Sequence, residues 1–260
     1  WHTYTNDKEE DGRQDFNEFT YKFPGFAPDA LEVWNIGAWI YQPPNISTND
    51  HEFPLQMYDQ LLDEGHHIAA TGGSDNHWRS TTAAQGVGQP TTWVCAEERT
   101  YQSILDGVKA NHTLISNQPP IYQGPRVLLY ADSDGDEQLD AIIGDTVPPG
   151  SKVVANVENG DGATLRFITD GGRILKEEAI DTFNASVDVE APETSTWIRA
   201  ELFYPDGREA RQSQQPLCDM SNQLFGTDPE KRNTYCENRI AMLSMTSPIY
   251  FAAPDPDPTD

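Results

Sequence analysis

The pattern of apolar residues and turn residues along the sequence changes at Gln118-Pro119-Pro120, and this change constrains the fold more than any other feature. Before it, apolar strand-like runs alternate with helical segments. After it, short alternating strands are separated by turns such as Asp170-Gly171-Gly172 and Pro205-Asp206-Gly207, which are hairpin signals. The sequence therefore predicts an α/β region over 1–118, an all-β sandwich-like domain over 119–252 and an acidic disordered tail over 253–260.

Two helices and several strands are predicted in the first region. A helix from Phe53 to Gly65 is indicated by an apolar stripe at helical spacing, with Gly65 suited to its C-terminal stop. The stripe consists of Leu55, Tyr58, Leu61 and Leu62. A second helix over 101–110 can be capped by Thr100. Short apolar runs predict strands at 30–35 and 91–96.

A carboxylate and an imidazole follow one apolar run closely. Ile68-Ala69-Ala70 leads into Gly72-Gly73, and then come Asp75 and His77 with one residue between them. Alternate side chains of an extended segment point to the same side, so Asp75 and His77 can converge on one point. A carboxylate oxygen with an imidazole nitrogen suits Zn, Mn or Fe. The alternative is a Gly-Asp-Asn turn that carries a surface histidine.

Several ordered blocks around this motif resemble a known family. The segments 65–77, 88–94 and 107–113 look like those of the polymerase-and-histidinol-phosphatase (PHP) metallohydrolases, in particular the branch of the CehA and McbA hydrolases. The resemblance covers about residues 28 to 120, and more weakly the following half up to Tyr250. It implies an α/β fold in which residues 1–118 form the C-terminal part of a distorted β/α barrel.

The resemblance also implies an activity and its residues. Asp75 and His77 would be the last two ligands of a site for two or three divalent Zn, Mn or Fe ions, and both would be catalytic. Arg79 could hold a phosphate oxygen, or could be a solvated loop arginine. Glu32 and Asn35 would lie at the active-site end of the strand over 30–35, where Asn35 could contact substrate or could cap a strand end. The expected protein is a metal-dependent hydrolase for phosphomonoesters or phosphodiesters, with carboxylic or carbamic esters as the other substrate class.

The chain also departs from the family. The early His-x-His motif, the following Asp/His and Glu ligands and the mid-domain Asn-His-Pro segment are absent from the sequence. Two ligands cannot assemble a multi-metal site. We therefore expect proteolytic processing, with the N-terminal fragment of the same precursor as a partner that supplies the other half of the site.

A second cation site is predicted in an acidic loop whose oxygen-bearing side chains stand two residues apart. This spacing resembles the start of a Ca²⁺ loop, but Ile143 occupies the position of the EF-hand glutamate. The alternative is an acidic surface turn between two strands. The candidate ligands are Asp132, Asp134, Asp136, Gln138 and Asp140.

Other features favour a secreted protein. Three Asn-x-Ser/Thr sequons, at Asn45, Asn111 and Asn184, permit glycosylation. Cys218 and Cys236 can form a disulfide that orders a polar segment, and Cys95 is expected to be a buried free thiol or to pair with another chain. With no run of about 18 apolar residues, a membrane is not an expected partner. The net charge of −25 repels nucleic acid unless a local cation patch or a bound metal offsets it, so the sequence leaves open whether the substrate is a nucleic acid or a small molecule. A non-catalytic, calcium-stabilised extracellular binding module is the competing hypothesis.

Overall fold

The computed structural model of the chain describes residues 28–35, 39–41, 52–74, 87–204 and 240–252. Its helices in these ranges are α1 (Glu52–Asp63) and α2 (Tyr101–Lys109). The strands are β1 (Ala30–Asn35), β2 (Trp39–Tyr41), β3 (Ala69–Gly73), β4 (Thr91–Val94), β5 (Thr113–Ser116), β6 (Arg126–Asp132), β7 (Ala141–Ile142), β8 (Thr146–Val147), β9 (Lys152–Glu158), β10 (Ala163–Thr169), β11 (Arg173–Ile180), β12 (Asn184–Glu190), β13 (Trp197–Tyr204), β14 (Ile240–Thr246) and β15 (Ile249–Phe251).

Most of these strands belong to two sheets that pack against each other. A nine-stranded sheet has the order β11-β10-β13-β14-β5-β4, with β2, β15 and β8 attached, and a four-stranded sheet has the order β12-β9-β6-β7. Alternate residues of β9 point inward, because Val153, Ala155 and Val157 are buried. They meet buried residues of β10 and β13 such as Phe167 and Leu202 in one apolar cluster. The nine-stranded sheet contains strands from both sides of residue 118.

A second apolar cluster forms around α1. The stripe predicted from the sequence is confirmed, since Leu55, Tyr58, Leu61 and Leu62 are all buried. They pack with Trp34 of β1 and with residues of β3 and β14. Gly65, with φ of 84°, follows the helix in the left-handed conformation that a glycine adopts without strain.

The expected β/α barrel is wrong. The described ranges contain only two α-helices, and their parallel strand pairs are β1–β3 and β15–β8. A barrel of this kind needs a ring of parallel strands, each followed by a helix that crosses back over the sheet. Here the chain leaves β4, forms α2 and returns as β5, which pairs antiparallel with β4. β5 then pairs antiparallel with β14, so the sheet extends into the C-terminal strands instead of closing.

The two-stranded sheet of β1 and β3 is joined to the rest of the molecule by side-chain hydroxyl groups. Residues 69, 71 and 73 of β3 lie in the edge that faces β1, and Ala69 N donates to Asp29 O at 3.0 Å. The backbone groups of the alternate residues 68, 70 and 72 face the opposite edge, where hydroxyl oxygens take the place of a neighbouring strand. We call these five side chains the hydroxyl row: Tyr58, Thr92, Thr113, Ser247 and Tyr250.

The middle of the hydroxyl row is a closed ring of hydrogen bonds. Ala70 N donates to Ser247 Oγ at 2.9 Å, and Thr113 Oγ1 donates to Ala70 O at 2.8 Å. The two hydroxyl oxygens are 2.7 Å apart. Because the single Thr113 hydroxyl proton is directed to Ala70, Ser247 is the donor between them. All three residues are fully buried, so this ring satisfies polar groups that water does not reach.

At the two ends of the hydroxyl row, Thr92 binds the backbone of Gly72, and Tyr58 and Tyr250 bind the backbone of Ile68. Thr92 Oγ1 accepts from Gly72 N at 2.8 Å and donates to Gly72 O at 2.9 Å. At Ile68, the amide donates to Tyr250 Oη at 3.2 Å, and the carbonyl accepts from Tyr58 Oη at 2.9 Å. β3 is therefore held in place by residues of α1, β4, β5 and the C-terminal strands.

A buried ionic cluster joins α1 to the large sheet. The Arg199 guanidinium, 1% exposed, donates to both carboxylate oxygens of Asp59 at 2.7 and 2.9 Å and also to the fully buried Glu201. Burial raises the pKa of Asp59, and the Arg199 charge opposes that rise. One turn further along α1, Asp63 accepts from Trp197 Nε1 at 2.9 Å and from Gly171 N at 3.0 Å.

We predict that Thr113→Val destabilises the protein by about 1–3 kcal/mol, because it leaves the buried Ala70 carbonyl and Ser247 hydroxyl without their partner. Valine has nearly the same shape, so the loss reports the hydrogen bonds. Thr146→Val, at an exposed position of β8, is the matched control and should change stability by less than about 0.5 kcal/mol. Urea unfolding at neutral pH measures both; equal losses would contradict a structural role for the hydroxyl row.

We also predict that Arg199→Met costs about 3–5 kcal/mol at pH 7, since it removes the guanidinium from two buried carboxylates. Without Arg199 the folded-state pKa of Asp59 rises further above its unfolded value. The unfolded chain then binds fewer protons than the folded chain, so the deficit should shrink as the pH falls from 7 towards 5.

Arg166→Met is the matched control for this variant, because Arg166 pairs with the half-exposed Glu177. Its loss of unfolding free energy should be at most about 1 kcal/mol. Chemical denaturation at both pH values tests the prediction. A deficit for Arg199→Met that grows on acidification would contradict it.

Candidate metal centres

The carboxyl ends of the parallel strands β1 and β3 lie side by side. In their register, Asn35 stands opposite Gly73, the last residue of β3. The carboxylate of Glu32 lies against this end, because a Cβ atom on Gly73 would be only 2.7 Å from Glu32 Oε1. Any larger residue at 73 would have to displace that carboxylate. Gly73 therefore allows an acidic side chain to approach the backbone just before Ser74 and Asp75.

The residues predicted for this site are only partly described. Asp75, His77 and Arg79 lie outside the described residues. The backbone of Asn35 ends β1, and its side chain is likewise outside the described part. Glu32 is absent from the set of ligands predicted from the sequence. Its signal is a carboxylate within a short strand, at an exposed position next to the buried Val33 and Trp34.

The acidic loop after β6 brings three of its five predicted ligands together. Carboxylate oxygens of Asp132, Asp134 and Asp136 lie within 4.8 Å of one another. Asp132 is buried, at 6% exposure, and the other two are exposed. In the described ranges this is the one group of three or more His, Cys, Asp or Glu side chains arranged in this way.

Backbone amide groups shape this loop around its carboxylates. Gly135 N donates to Asp132 Oδ1 at 2.7 Å, and Glu137 N donates to Asp132 Oδ2 at 3.0 Å. Both donors have positive φ, 80° for Gly135 and 69° for Glu137. The chain therefore curls around the buried Asp132, which keeps the side chains of Asp134 and Asp136 on the same side of the loop.

The other two predicted ligands close the loop instead. Asp140 accepts from Ser133 N at 2.9 Å and from Ser133 Oγ at 2.6 Å, and these hydrogen bonds lower the pKa of Asp140. Gln138 Nε2 donates to Asp136 Oδ2 at 2.8 Å. The structure thus groups Asp132, Asp134 and Asp136 and leaves Asp140 at the base of the loop.

The donor set of this loop fits a hard divalent cation. Ca²⁺ prefers six to eight oxygen ligands and tolerates irregular geometry. Three carboxylates whose oxygens lie within 4.8 Å of one another could supply part of that shell, and backbone carbonyls and water complete such shells elsewhere. The set contains neither imidazole nor thiolate, so it does not suit a Zn²⁺ ion.

The predicted modification sites differ in exposure. Asn111 is 3% exposed and has a φ of 62° at the end of α2, so its buried side chain makes a poor glycan acceptor. Asn184 is exposed at the start of β12. Cys95 is a free, partly buried thiol whose pKa is raised by burial. Asn45, Cys218, Cys236 and the segment 253–260 lie outside the described residues.

No protein-family model, curated protein or solved structure matches this chain. Neither α1 nor α2 is long and apolar enough to cross a membrane, and the described part holds no other α-helix.

We predict that Ca²⁺ stabilises the protein through the acidic loop. Calcium at about 100 times its dissociation constant would add about 2.7 kcal/mol, which corresponds to an increase of about 5–10 °C in Tm for a chain of this size. The double variant Asp134→Asn/Asp136→Asn should lose this shift, because it removes two of the three grouped carboxylates.

The control for this experiment is Asp161→Asn/Asp181→Asn, which removes two exposed carboxylates elsewhere on the surface. Differential scanning calorimetry in EDTA and in excess Ca²⁺ compares the three proteins. An equal Ca²⁺ shift in both double variants would mean that calcium acts at another place.

Proposed function

We propose that this chain carries part of the active site of a metal-dependent hydrolase that cleaves phosphoesters. The observation that supports this most is the Glu32 carboxylate at the carboxyl ends of β1 and β3, against Gly73. The carboxyl ends of parallel strands are a common place for ligands and catalytic residues. Two residues after Gly73 the sequence continues with Asp75 and His77, which add a second carboxylate and an imidazole.

The proposed roles follow from the donor chemistry. Glu32 and Asp75 would hold a divalent transition metal through carboxylate oxygens, and His77 through a ring nitrogen. Zn, Mn or Fe ions, two or three of them, supply Lewis acidity at a phosphoryl oxygen and a more acidic water. Arg79 would bind a phosphate oxygen of the substrate, and Asn35 would orient it.

Three donors are too few for a site of several metals. We therefore propose that a second polypeptide, the N-terminal fragment of the same precursor, supplies the remaining ligands. The phosphoester class is favoured over carboxylic esters because multi-metal centres suit phosphoryl transfer. The net charge of −25 would repel an anionic phosphoester, and bound metal ions would offset that repulsion at the site.

The test begins with the native, undenatured protein. We expect intact mass analysis to find a second polypeptide of domain size, and elemental analysis to find about two or three transition-metal ions per complex. Hydrolysis of bis(p-nitrophenyl) phosphate is then compared in wild type and in Asp75→Asn, His77→Ala and Glu32→Gln. Each substitution should lower the number of transition-metal ions per complex and should lower kcat by about 100-fold.

Glu98→Gln is the matched control, because Glu98 is an exposed carboxylate on another loop. It should leave metal content and rate unchanged. A chain that is folded and monomeric, holds no transition metal and retains no phosphoesterase activity would overturn the proposal.

The acidic loop favours a second candidate function, a non-catalytic extracellular module stabilised by Ca²⁺. Asp132, Asp134 and Asp136 support it, and so does the exposed sequon at Asn184, which is compatible with secretion. This reading requires Ca²⁺ at the acidic loop and no transition metal near Glu32. Elemental analysis of the secreted protein therefore separates the two candidates directly.

A further inference from the structure

An open groove of about 700 Å³ lies beside the four-stranded sheet. Its size falls within the range of small-molecule sites, about 300–1,000 Å³. It is formed by β4, the turn over 120–124 and strands β6, β9 and β12. The side chains that matter for its chemistry are Trp93, Gln123, Arg126, Asn156, Phe183 and Asn184.

Several neutral amide and hydroxyl side chains line this groove. Asn156 and Ser186 are paired residues of β9 and β12, and Asn184 stands two residues from Ser186 on the same face. Asn159 fixes the end of the groove, since its Nδ2 donates to Gln123 O at 2.8 Å. Side-chain amides both donate and accept hydrogen bonds, as sugar hydroxyl groups do.

An exposed aromatic ring completes the surface. Phe183, next to Asn184, is 61% exposed although it is a large apolar side chain. An aromatic face in a polar groove is suited to the apolar C–H face of a sugar ring. On the other side, Arg126 lies over the Trp93 ring with its guanidinium carbon 4.4 Å from the centroid.

The charges of the groove cancel within it. Arg126 forms an ion pair with Glu158, and both residues line the groove. The chain as a whole carries a net charge of −25, which disfavours an anionic ligand at a site without surplus positive charge. From the neutral amides, the exposed aromatic ring and this balance of charge, we propose that the groove binds a neutral oligosaccharide.

The groove is separate from the candidate metal centre at β3. Neighbouring residues of a strand point to opposite faces. On β4, Thr92 reaches Gly72 of β3, whereas Trp93 lines the groove and donates to Ser116 Oγ at 2.7 Å. Saccharide binding can therefore be tested independently of hydrolysis and of transition metal.

The sequon at Asn184 bears on the experiment. A glycan attached to Asn184 would start inside the groove and would compete with a ligand from solution. The assay therefore uses the full chain produced in a host that does not glycosylate. EDTA in the buffer removes any contribution from divalent metals.

The probes are cellohexaose, xylohexaose and mannohexaose, with hexagalacturonate as the acidic comparator, measured by isothermal titration calorimetry. We expect at least one neutral hexaose to bind with a dissociation constant of about 1 mM or lower, and hexagalacturonate to bind more weakly. Phe183→Ala should weaken binding about five- to tenfold through the loss of the aromatic contact, and Asn156→Ala should also weaken it.

Tyr101→Ala is the matched control, because Tyr101 is 80% exposed on α2 and does not line the groove. It should leave the affinity unchanged. Absence of binding for all three neutral hexaoses, preference for hexagalacturonate, or equal losses in Phe183→Ala and Tyr101→Ala would each overturn the proposal.

Discussion

The hydroxyl row along β3 is the interaction on which the rest of the structure depends. A strand buried between β1 and the large sheet needs partners for its backbone on both edges. β1 supplies them on one edge, and side-chain hydroxyls supply them at Ile68, Ala70 and Gly72 on the other. Because hydroxyls reach further than a neighbouring backbone, the small parallel sheet can lie against the large antiparallel sheet without joining its ladder. The same strand carries the chain to the candidate transition-metal centre.

α1 depends on charge as well as on apolar packing. Its apolar stripe lies in the second cluster with Trp34 and Met245, while Asp59 and Asp63 reach Arg199 and Trp197. A buried ion pair seldom adds much stability compared with apolar residues of similar size, but removing one partner is costly. The cluster therefore specifies how α1 lies on the sheet, and apolar burial supplies most of the energy.

Local features of the fold could be predicted from the sequence, whereas its long-range pairing could not. The buried face of α1 follows from the helical spacing of its apolar residues, and its end follows from the positive φ that Gly65 adopts without strain. Both features depend only on residues close together in the sequence. The antiparallel return of β5 to β4 could not be predicted, because the same strand-helix-strand pattern also fits a parallel crossover. For the sites, spacing identified Asp132, Asp134 and Asp136. It gave no ligand role to Glu32, whose contact with Gly73 depends on the register of β1 with β3.

The hydroxyl row also has a consequence for the order of events during synthesis. Ala70 and Ile68 obtain partners from Ser247 and Tyr250, which follow them by 177 and 182 residues. While the ribosome is still translating the intervening segment, the amides of Ile68 and Ala70 lack these partners, and only Tyr58, Thr92 and Thr113 are available to bind that edge. Contacts of such separation form slowly and leave strands exposed to mispairing in the meantime. The nascent chain therefore carries an incompletely bonded β3 until the last two strands have been synthesised.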